Sequence, residues 1–270
     1  MASFLETDTV LAVDTETTGV DPETDRICEI GYAIGVGVET CTIDLGSILV
    51  RPGVNIPKEA YMIHGVSDSA VEHAMTFKGA WQELCRVGTV HDVSVTCGYN
   101  SIGFDIPILI SECKRHSADY DGPISPMRFP HIDVCLFVRW HLRHLPSRKL
   151  GDVAATFSVP LPDGASFHGA AGDSSVTLGL LEKLVKVGVI PDDVTTALWQ
   201  QRLFESALEE EYQKYGVFLY EDRINGEIMI GTGSNTGEPI SKVRQNHWRR
   251  LLKKDKITDT TREIAERMLK

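Results

Sequence analysis

Four acidic residues and one histidine have the types and spacing from which chemistry can be argued. Asp14 and Glu16 follow the run Val10-Leu11-Ala12-Val13, with one residue between them. That run reads as a buried strand, because β-branched side chains suit a pleated, two-sided core. Side chains alternate along a strand, so Asp14 and Glu16 project from the same face. Two carboxylates roughly 5 Å apart repel by about 3 kcal/mol at an effective dielectric of about 20. A cation or a shared proton relieves that repulsion; the plainer reading is a charged strand end with solvated acids. Asp105 stands where a strand ending at Gly98 and a short loop lead into a helix. Pro107 then falls in the first helical turn, where its missing N–H costs nothing. Ile106, Leu109, Ile110 and Cys113 recur at helical spacing and are expected to form the buried face. A plain helix cap is the other reading of Asp105. Asn100 and Phe104 flank it, an amide and a ring able to hold a base or a sugar. Asp173 falls in the first turns of a helix whose buried side is expected to carry Val176, Leu180, Leu184 and Val187. His168 precedes it by five residues, which in a helix would turn it away by about 140°, so it is placed on the loop leading in.

Together, Asp14, Glu16, Asp105 and Asp173 each lie at a strand end or a helix start. Four converging carboxylates suit two hard divalent ions, which prefer oxygen ligands. Two such ions about 4 Å apart stabilise the attacking and leaving oxygens of an in-line phosphoryl displacement. A histidine on an adjacent loop can deprotonate the attacking water.

The elements that must position these groups can be traced along the chain. Residues 19–25 have turn chemistry. Residues 27–38 and 41–50 read as second and third strands of an antiparallel meander, with Glu29 a supporting acid rather than a ligand. Ile63-His64-Gly65-Val66 precedes a short helix capped by Ser67 or Asp68. Thr76 caps another, with Phe77, Ala80, Trp81 and Leu84 at helical spacing. Residues 122–130 form a Pro-rich loop, and Ile132-Asp133-Val134 opens an apolar segment running to Leu145. Its far end holds Arg139, His141, Arg143, His144, Arg148 and Lys149, either a solvated helix end or a phosphate-facing rim. Leu150, Val153, Ala154 and Phe157 mark the next helix, and residues 160–166 a loop. Residues 188–191 read as a boundary, dividing the chain into 1–190 and a smaller α+β extension, 191–270. In that extension Asp192 or Asp193 caps a long helix, and Asn225-Gly226 centres a hairpin. Lys242, Arg244, Arg249, Arg250, Lys253, Lys254 and Lys256 surround Trp248. That cluster is a solvated helix face, or a guide for a strand through phosphate contacts and aromatic stacking. Thr260 and Glu263 form a capping box for a last helix.

The composition limits the class. At 270 residues, 42% of them hydrophobic, the chain can bury a full core. No apolar run is long enough to span a bilayer, and the N-terminus lacks the pattern of a signal peptide. A cytoplasmic location without a membrane partner is expected. Six cysteines without a CxxC pair argue for free thiols rather than a disulfide framework or a zinc site. The net charge of −11 excludes a protein that coats nucleic acid through a global basic surface.

The ordered set also resembles a known family. Asp14-Thr15-Glu16-Thr17-Thr18-Gly19, the segment Asn100 to Asp105, and His168-Gly169-Ala170-Ala171-Gly172-Asp173 match the motifs of DnaQ-like exonucleases, the DEDDh branch of the ribonuclease H-like superfamily. Ile63 to Asp68 resembles the loop before the family's second motif, and the likeness spans about residues 6 to 188. The form Gly98-Tyr99-Asn100-x3-Phe104-Asp105-x-Pro107 is closer to exonuclease I and to the exonuclease domain of family B polymerases. The resemblance implies an α/β fold, a mixed sheet with helices on both faces. It implies release of nucleoside monophosphates from a 3′ end, and two Mg2+ or Mn2+ ions on Asp14, Glu16, Asp105 and Asp173. It makes His168 the general base and places Thr17, Thr18, His64, Asn100 and Phe104 in the pocket for the terminal nucleotide. The expected partner is nucleic acid with a free 3′ end, single-stranded DNA ahead of RNA, with a polymerase or replication protein as a possible second. The same chemistry on RNA or short oligoribonucleotides, and a non-catalytic nucleic-acid-binding or polymerase-tethering module, are the alternatives.

Overall fold

The structure is a computed structural model that describes residues 3–36, 41–118, 129–162 and 167–270. Most of the Pro-rich 122–130 loop, the end of the second expected strand and the 163–166 part of the next loop lie outside the described residues. Within them the chain divides into two compact units, one formed by 1–135 with 150–199 and the other by 136–149 with 200–270. A single boundary after residue 190 was expected. The units instead meet at three boundaries: 135/136 and 199/200 fall inside helices, where no Gly- or Pro-rich linker marks them in the sequence, and 149/150 falls where the helix Leu150–Thr156 begins.

The first unit is built on five strands: β1 (Thr9–Thr17), β2 (Ile27–Val36), β3 (Cys41–Leu49), β4 (Val95–Gly98) and β5 (His131–Asp133), in the order β3-β2-β1-β4-β5. β1, β2 and β3 form the expected antiparallel meander, whereas β4 runs parallel to β1 and β5 parallel to β4. Its helices are α1 (Phe4–Thr7), α2 (Lys58–His64), α3 (Asp68–Val71), α4 (Phe77–Val90), α5 (Asp105–Arg115), the first residues of α6 (Val134–His141), α7 (Leu150–Thr156), α8 (Ala170–Lys186) and the start of α9 (Val194–Tyr215). Ser67 and Thr76 cap α3 and α4 as expected, each accepting a backbone N–H.

Side-chain alternation explains why helices cover both faces. On β2, Ile30 and Ile34 face a core shared with Trp81 and Leu84 of α4 and Ile108 and Leu109 of α5. Gly31, Ala33 and Gly35 have the opposite parity and lie under α8. A Cβ at Gly31 would fall on the backbone of Ala170 and Ala171, and one at Gly35 would meet Leu178. These glycines thus permit a close approach of helix backbone to strand. Gly31→Ala should lower stability by about 2–3 kcal/mol, the usual cost of overpacking. It should also shift the first turn of α8, so thermal unfolding and divalent-ion binding are both expected to suffer. β1 follows the same rule. Leu11 and Val13 join the α4/α5 core, which leaves Asp14 and Glu16 on the α8 face.

Two helix faces depart from the periodic reading. α5 buries Asp105, Ile108, Leu109, Glu112 and Cys113, not Ile106 and Ile110. Its face is turned toward Glu112, which pairs with Arg115 and lies within 4.0 Å of Arg26 and 3.5 Å of His116. On α8, Val176, Leu180 and Leu184 are buried, but Val187 lies past the last turn and is exposed.

The second unit has its own apolar cluster, in which Tyr215, Leu219, Ile230, Trp248, Leu251 and Ile264 meet. The hairpin forms as expected, from β6 (Leu219–Glu221) and β7 (Ile228–Ile230), with Gly226 at φ +73° in its turn. α10 (Gln245–Leu251) and α11 (Asp259–Arg267) complete it. The cap of α11 is Thr258, which accepts from Thr261 N, rather than the expected box at Thr260. Trp248 is fully buried, which excludes it as a stacking platform for bases. Arg143 and Arg148 are not a free phosphate rim. Arg143 donates to both oxygens of Glu211 at 2.7 and 2.9 Å, and Arg148 to the Gly231 carbonyl at 2.8 Å. Among the described residues, no helix is long and apolar enough to cross a membrane. Among the described residues, cysteines 28, 85, 97, 113 and 135 form no disulfide.

Candidate active site

The end of β1 and the first turn of α8 bring three carboxylates together. Asp14, Glu16 and Asp173 each place an oxygen within 4.8 Å of the others. Strand alternation puts the first two on the α8 face, and the glycine-lined contact at Gly31 brings in the turn that carries Asp173. Asp105 approaches from the opposite side of β1. Its Oδ1 accepts from the Thr15 N–H at 2.9 Å and the Thr15 hydroxyl at 2.6 Å. It stands outside the group of three, but after burial its charge is the largest influence on Asp14.

The electrostatics are those of a site lacking positive charge. Burial, then Asp105, Glu16, Asp173 and Glu29, hold the Asp14 carboxyl far above the ordinary range. Burial, with Asp173, Glu29 and Asp105, pushes Glu16 up to about 8. Burial also raises Asp105 to about 7, against the two Thr15 hydrogen bonds, and raises Asp173. Glu29 lies opposite Glu16 in the β1–β2 register and adds to the repulsion. Asp173 Oδ1 is buried and has no hydrogen-bond donor among the described residues. A buried, unpartnered carboxylate oxygen beside two more carboxylates fits a hard divalent cation, which supplies both the missing charge and the missing ligand contact.

His168 lies on the loop leading into α8 and is exposed; its backbone N–H is 3.3 Å from Asp173 Oδ2. Its φ of +63° is in the left-handed region that favours glycine.

The remaining expected residues divide into two groups. Asn100 is exposed, and Phe104 is half-buried at the start of α5. Thr17, Thr18 and His64 make hydrogen bonds in and to the turn after β1. The Thr17 hydroxyl donates to the Gly19 carbonyl at 2.6 Å. The Thr18 hydroxyl donates to Asp25 at 3.1 Å and accepts from the Arg26 N–H at 3.0 Å. His64 accepts the Val66 N–H at Nδ1, so its Nε2–H donates to the Thr17 carbonyl at 3.2 Å. Its imidazole therefore ties α2 to the end of β1.

Sequence reasoning missed two supports of the Asn100–Asp105 loop. Asp133, buried at the end of β5, accepts the N–H groups of Asn100 and Ile102 at 2.9 and 3.0 Å, and that of Cys135. Its signal was a lone acid inside an apolar run. His131 bridges β4 and the loop, with Nδ1 2.9 Å from Thr96 Oγ1 and Nε2 2.8 Å from Ser101 Oγ. Burial lowers His131 from the ordinary 6.5 to about 4. The unfolded chain therefore takes up a proton between these values that the native state refuses. The stabilisation is present above pH 6.5 and is lost as pH falls toward 4, an effect of about 3 kcal/mol. The raised carboxyls of the acidic site act with the opposite sign over this range, so the effect is read against a variant: in urea unfolding, His131→Gln should lose more stability relative to wild type at pH 7 than at pH 4.5.

Comparison with known proteins gives a consistent picture. The sequence profile of the RNase T exonuclease family matches residues 11–181. An uncharacterised exonuclease, CP81, of Escherichia phage 186 is 29% identical over 195 residues, covering 68% of this chain and 92% of the phage protein. A PolC-type DNA polymerase III of Ureaplasma parvum is 24% identical over 188 residues, covering 70% of this chain and 12% of the polymerase. Among solved structures, the nuclease domain of 3′hExo, a DEDDh family member bound to rAMP, shares 17% identity. It has a TM-score of 0.57, covering 67% of this chain and 94% of that domain. Escherichia coli exonuclease I in complex with a dA16 oligonucleotide shares 17% identity with a TM-score of 0.56, covering 93% of this chain and 61% of that one. At these identities the two structures speak for the fold, and the family match for the activity. The chain thus belongs to the RNase T exonuclease family and is a DnaQ-like 3′-to-5′ exonuclease, a hydrolase of phosphodiester bonds.

Proposed function

We propose that the protein removes nucleoside 5′-monophosphates from the 3′ end of single-stranded DNA, using two Mg2+ or Mn2+ ions and His168 as general base. The observation that carries this reading is the buried, unpartnered Asp173 Oδ1 beside Asp14 and Glu16. Asp14, Glu16 and Asp173, with Asp105 beside them, would hold the cations. When bound, these supply positive charge to the phosphoryl oxygens and to the leaving 3′ oxygen. Phe104 and Asn100 offer the terminal nucleotide a ring and an amide, and the loop they occupy is held by Asp133 and His131. Thr17, Thr18 and His64 contribute by fixing the turn that closes β1. His168 takes the proton from the attacking water, whose oxygen bonds to phosphorus as the P–O3′ bond breaks. The shortened strand keeps a 3′ hydroxyl after its oxygen takes up a proton.

DNA is favoured because the exonuclease I structure holds a dA16 oligonucleotide and the Ureaplasma relative is a DNA polymerase. The same polymerase likeness makes a replication protein the first partner to look for. The rAMP bound to 3′hExo supports RNA as the second reading. The test is digestion of 5′-labelled DNA and RNA of one sequence, single- and double-stranded. Stepwise shortening of single-stranded DNA is expected with Mg2+ or Mn2+, and none in EDTA. Undiminished digestion in EDTA would overturn the metal mechanism, and faster loss of the RNA would make the protein an exoribonuclease.

A further inference from the structure

We propose that the second unit carries a separate, sequence-independent binding surface for the phosphate backbone of nucleic acid, formed by the segment from Lys242 to Lys256. The proposal rests on the exonuclease reading only in its choice of partner. Seven of the chain's 27 Lys and Arg residues fall in this segment, with Asp255 its one acid. The chain as a whole carries −11, so the concentration is local and opposite in sign to the protein.

The fold turns these charges outward. Trp248 and Leu251 anchor α10 in the apolar cluster of the unit, and the short 3-10 turn Ile240–Lys242 leads into it. With those two side chains inward, Arg249 and Arg250 point away, and all seven cations of the segment are exposed. None of the seven has an ion-pair partner among the described residues. By contrast, Arg143 and Arg223 share Glu211, and Lys214 lies 3.7 Å from Glu221. Glu211 and Glu221 are thus engaged elsewhere, and the α10 surface keeps its charge.

The chemistry selects the partner. The cations are spread over the 3-10 turn, α10 and the turn that follows instead of converging on one point, which suits a repeating polyanion better than a single phosphate group. The aromatic residue of the segment, Trp248, is buried, so the surface has no stacking platform and reads no bases. Val243, Leu251 and Leu252 are buried or half-buried, so the segment lacks the outward apolar face by which an amphipathic helix enters a membrane. A strand held here stays associated with the protein between cleavage events, which matters for long substrates and not for short ones.

The experiment neutralises Arg249, Arg250, Lys253 and Lys254 together as glutamines, with a second variant, Lys242→Gln with Arg244→Gln, in case the first unfolds. Binding of a labelled single-stranded DNA of about 30 nucleotides is followed by anisotropy in EDTA, where no cleavage intervenes, across a KCl series. Four lost phosphate contacts should weaken binding at least tenfold near 0.1 M salt and reduce the slope of log K against log salt by about 3. In Mg2+ the variant should hydrolyse a dinucleotide like the wild type but show a raised KM for the long strand. Unchanged affinity and slope would overturn the proposal while leaving the exonuclease reading intact. A wild-type protein that binds DNA through these residues but cuts nothing would refute the exonuclease reading and keep the surface. If polyglutamate or phosphatidylserine vesicles bind as tightly as DNA, with the same loss in the variant, the assignment to nucleic acid is wrong.

Discussion

Asp14→Asn should abolish hydrolysis and, in the absence of metal, make the protein more stable. Asp14 is the central acid of the site, raised by burial and then by Asp105, Glu16, Asp173 and Glu29. On the proposed metal mechanism, removing its charge removes a ligand and weakens the hold of the other acids on cations at the reacting phosphate. A loss of at least about a thousandfold in kcat/KM is expected, about 4 kcal/mol of transition-state stabilisation. The stability effect has the opposite sign. A carboxyl whose native pKa is raised holds a proton that the unfolded chain has already released. Native stability therefore falls as pH rises from the ordinary carboxylate range, near 4.5 for Glu16, through its native value of about 8. Metal-free wild type should melt at a lower temperature at pH 8 than at pH 5. Asp14→Asn should recover part of that loss at pH 8 and little of it at pH 5. Mg2+ should stabilise the wild type at pH 8 and the variant hardly at all. Equal melting of the two metal-free proteins at both pH values would mean that Asp14 is not in a crowded acidic site.

His168→Asn should lower kcat by about 10²–10⁴-fold, the usual contribution of a positioned general base. Asparagine is chosen because it tolerates the left-handed backbone that His168 adopts at φ +63°. The substitution then removes the proton acceptor without adding strain. The backbone N–H that meets Asp173 is retained, so stabilisation by Mg2+ should be close to wild type. That pairing of outcomes distinguishes a base from a structural role, because a residue that merely shaped the loop would change metal binding and KM together. Partial rescue by added imidazole would strengthen the assignment, and a fully active variant would exclude it.

Much of the site was legible because it depends on local periodicity. Alternation along β1 is enough to put Asp14 and Glu16 on one face, and the three-strand meander is observed with antiparallel registers. The pattern Val176, Leu180 and Leu184 orients α8 and hence its first turn. The left-handed turn at Gly226 in the hairpin and the caps at Ser67 and Thr76 are likewise local, set by turn and capping chemistry. What periodicity cannot show is which buried polar group will meet which. Asp133 and Asn100 are 33 residues apart, and Arg143 and Glu211 are 68. A buried acid at Glu112 rotated α5 away from the face its apolar residues suggest. Trp248 was legible as an aromatic amid cations, but only the apolar cluster of the second unit decides that it points inward.

By itself the sequence determined the residue types, their order and the face that Asp14 and Glu16 share on β1. That is sufficient to name a carboxylate site and the exonuclease family, because both depend on short motifs with fixed spacing. The tertiary structure decided the rest. It divided the four acids into a trio within 4.8 Å and a fourth held by Thr15. It joined Thr17, Thr18 and His64 to one turn through hydrogen bonds, and it divided the chain within α6, at the start of α7 and within α9. The physical reason is range. Strand and helix periods act over a few residues, whereas carboxylate repulsion, hydrogen-bond pairing and the close approach at Gly31 act between segments that only folding brings together.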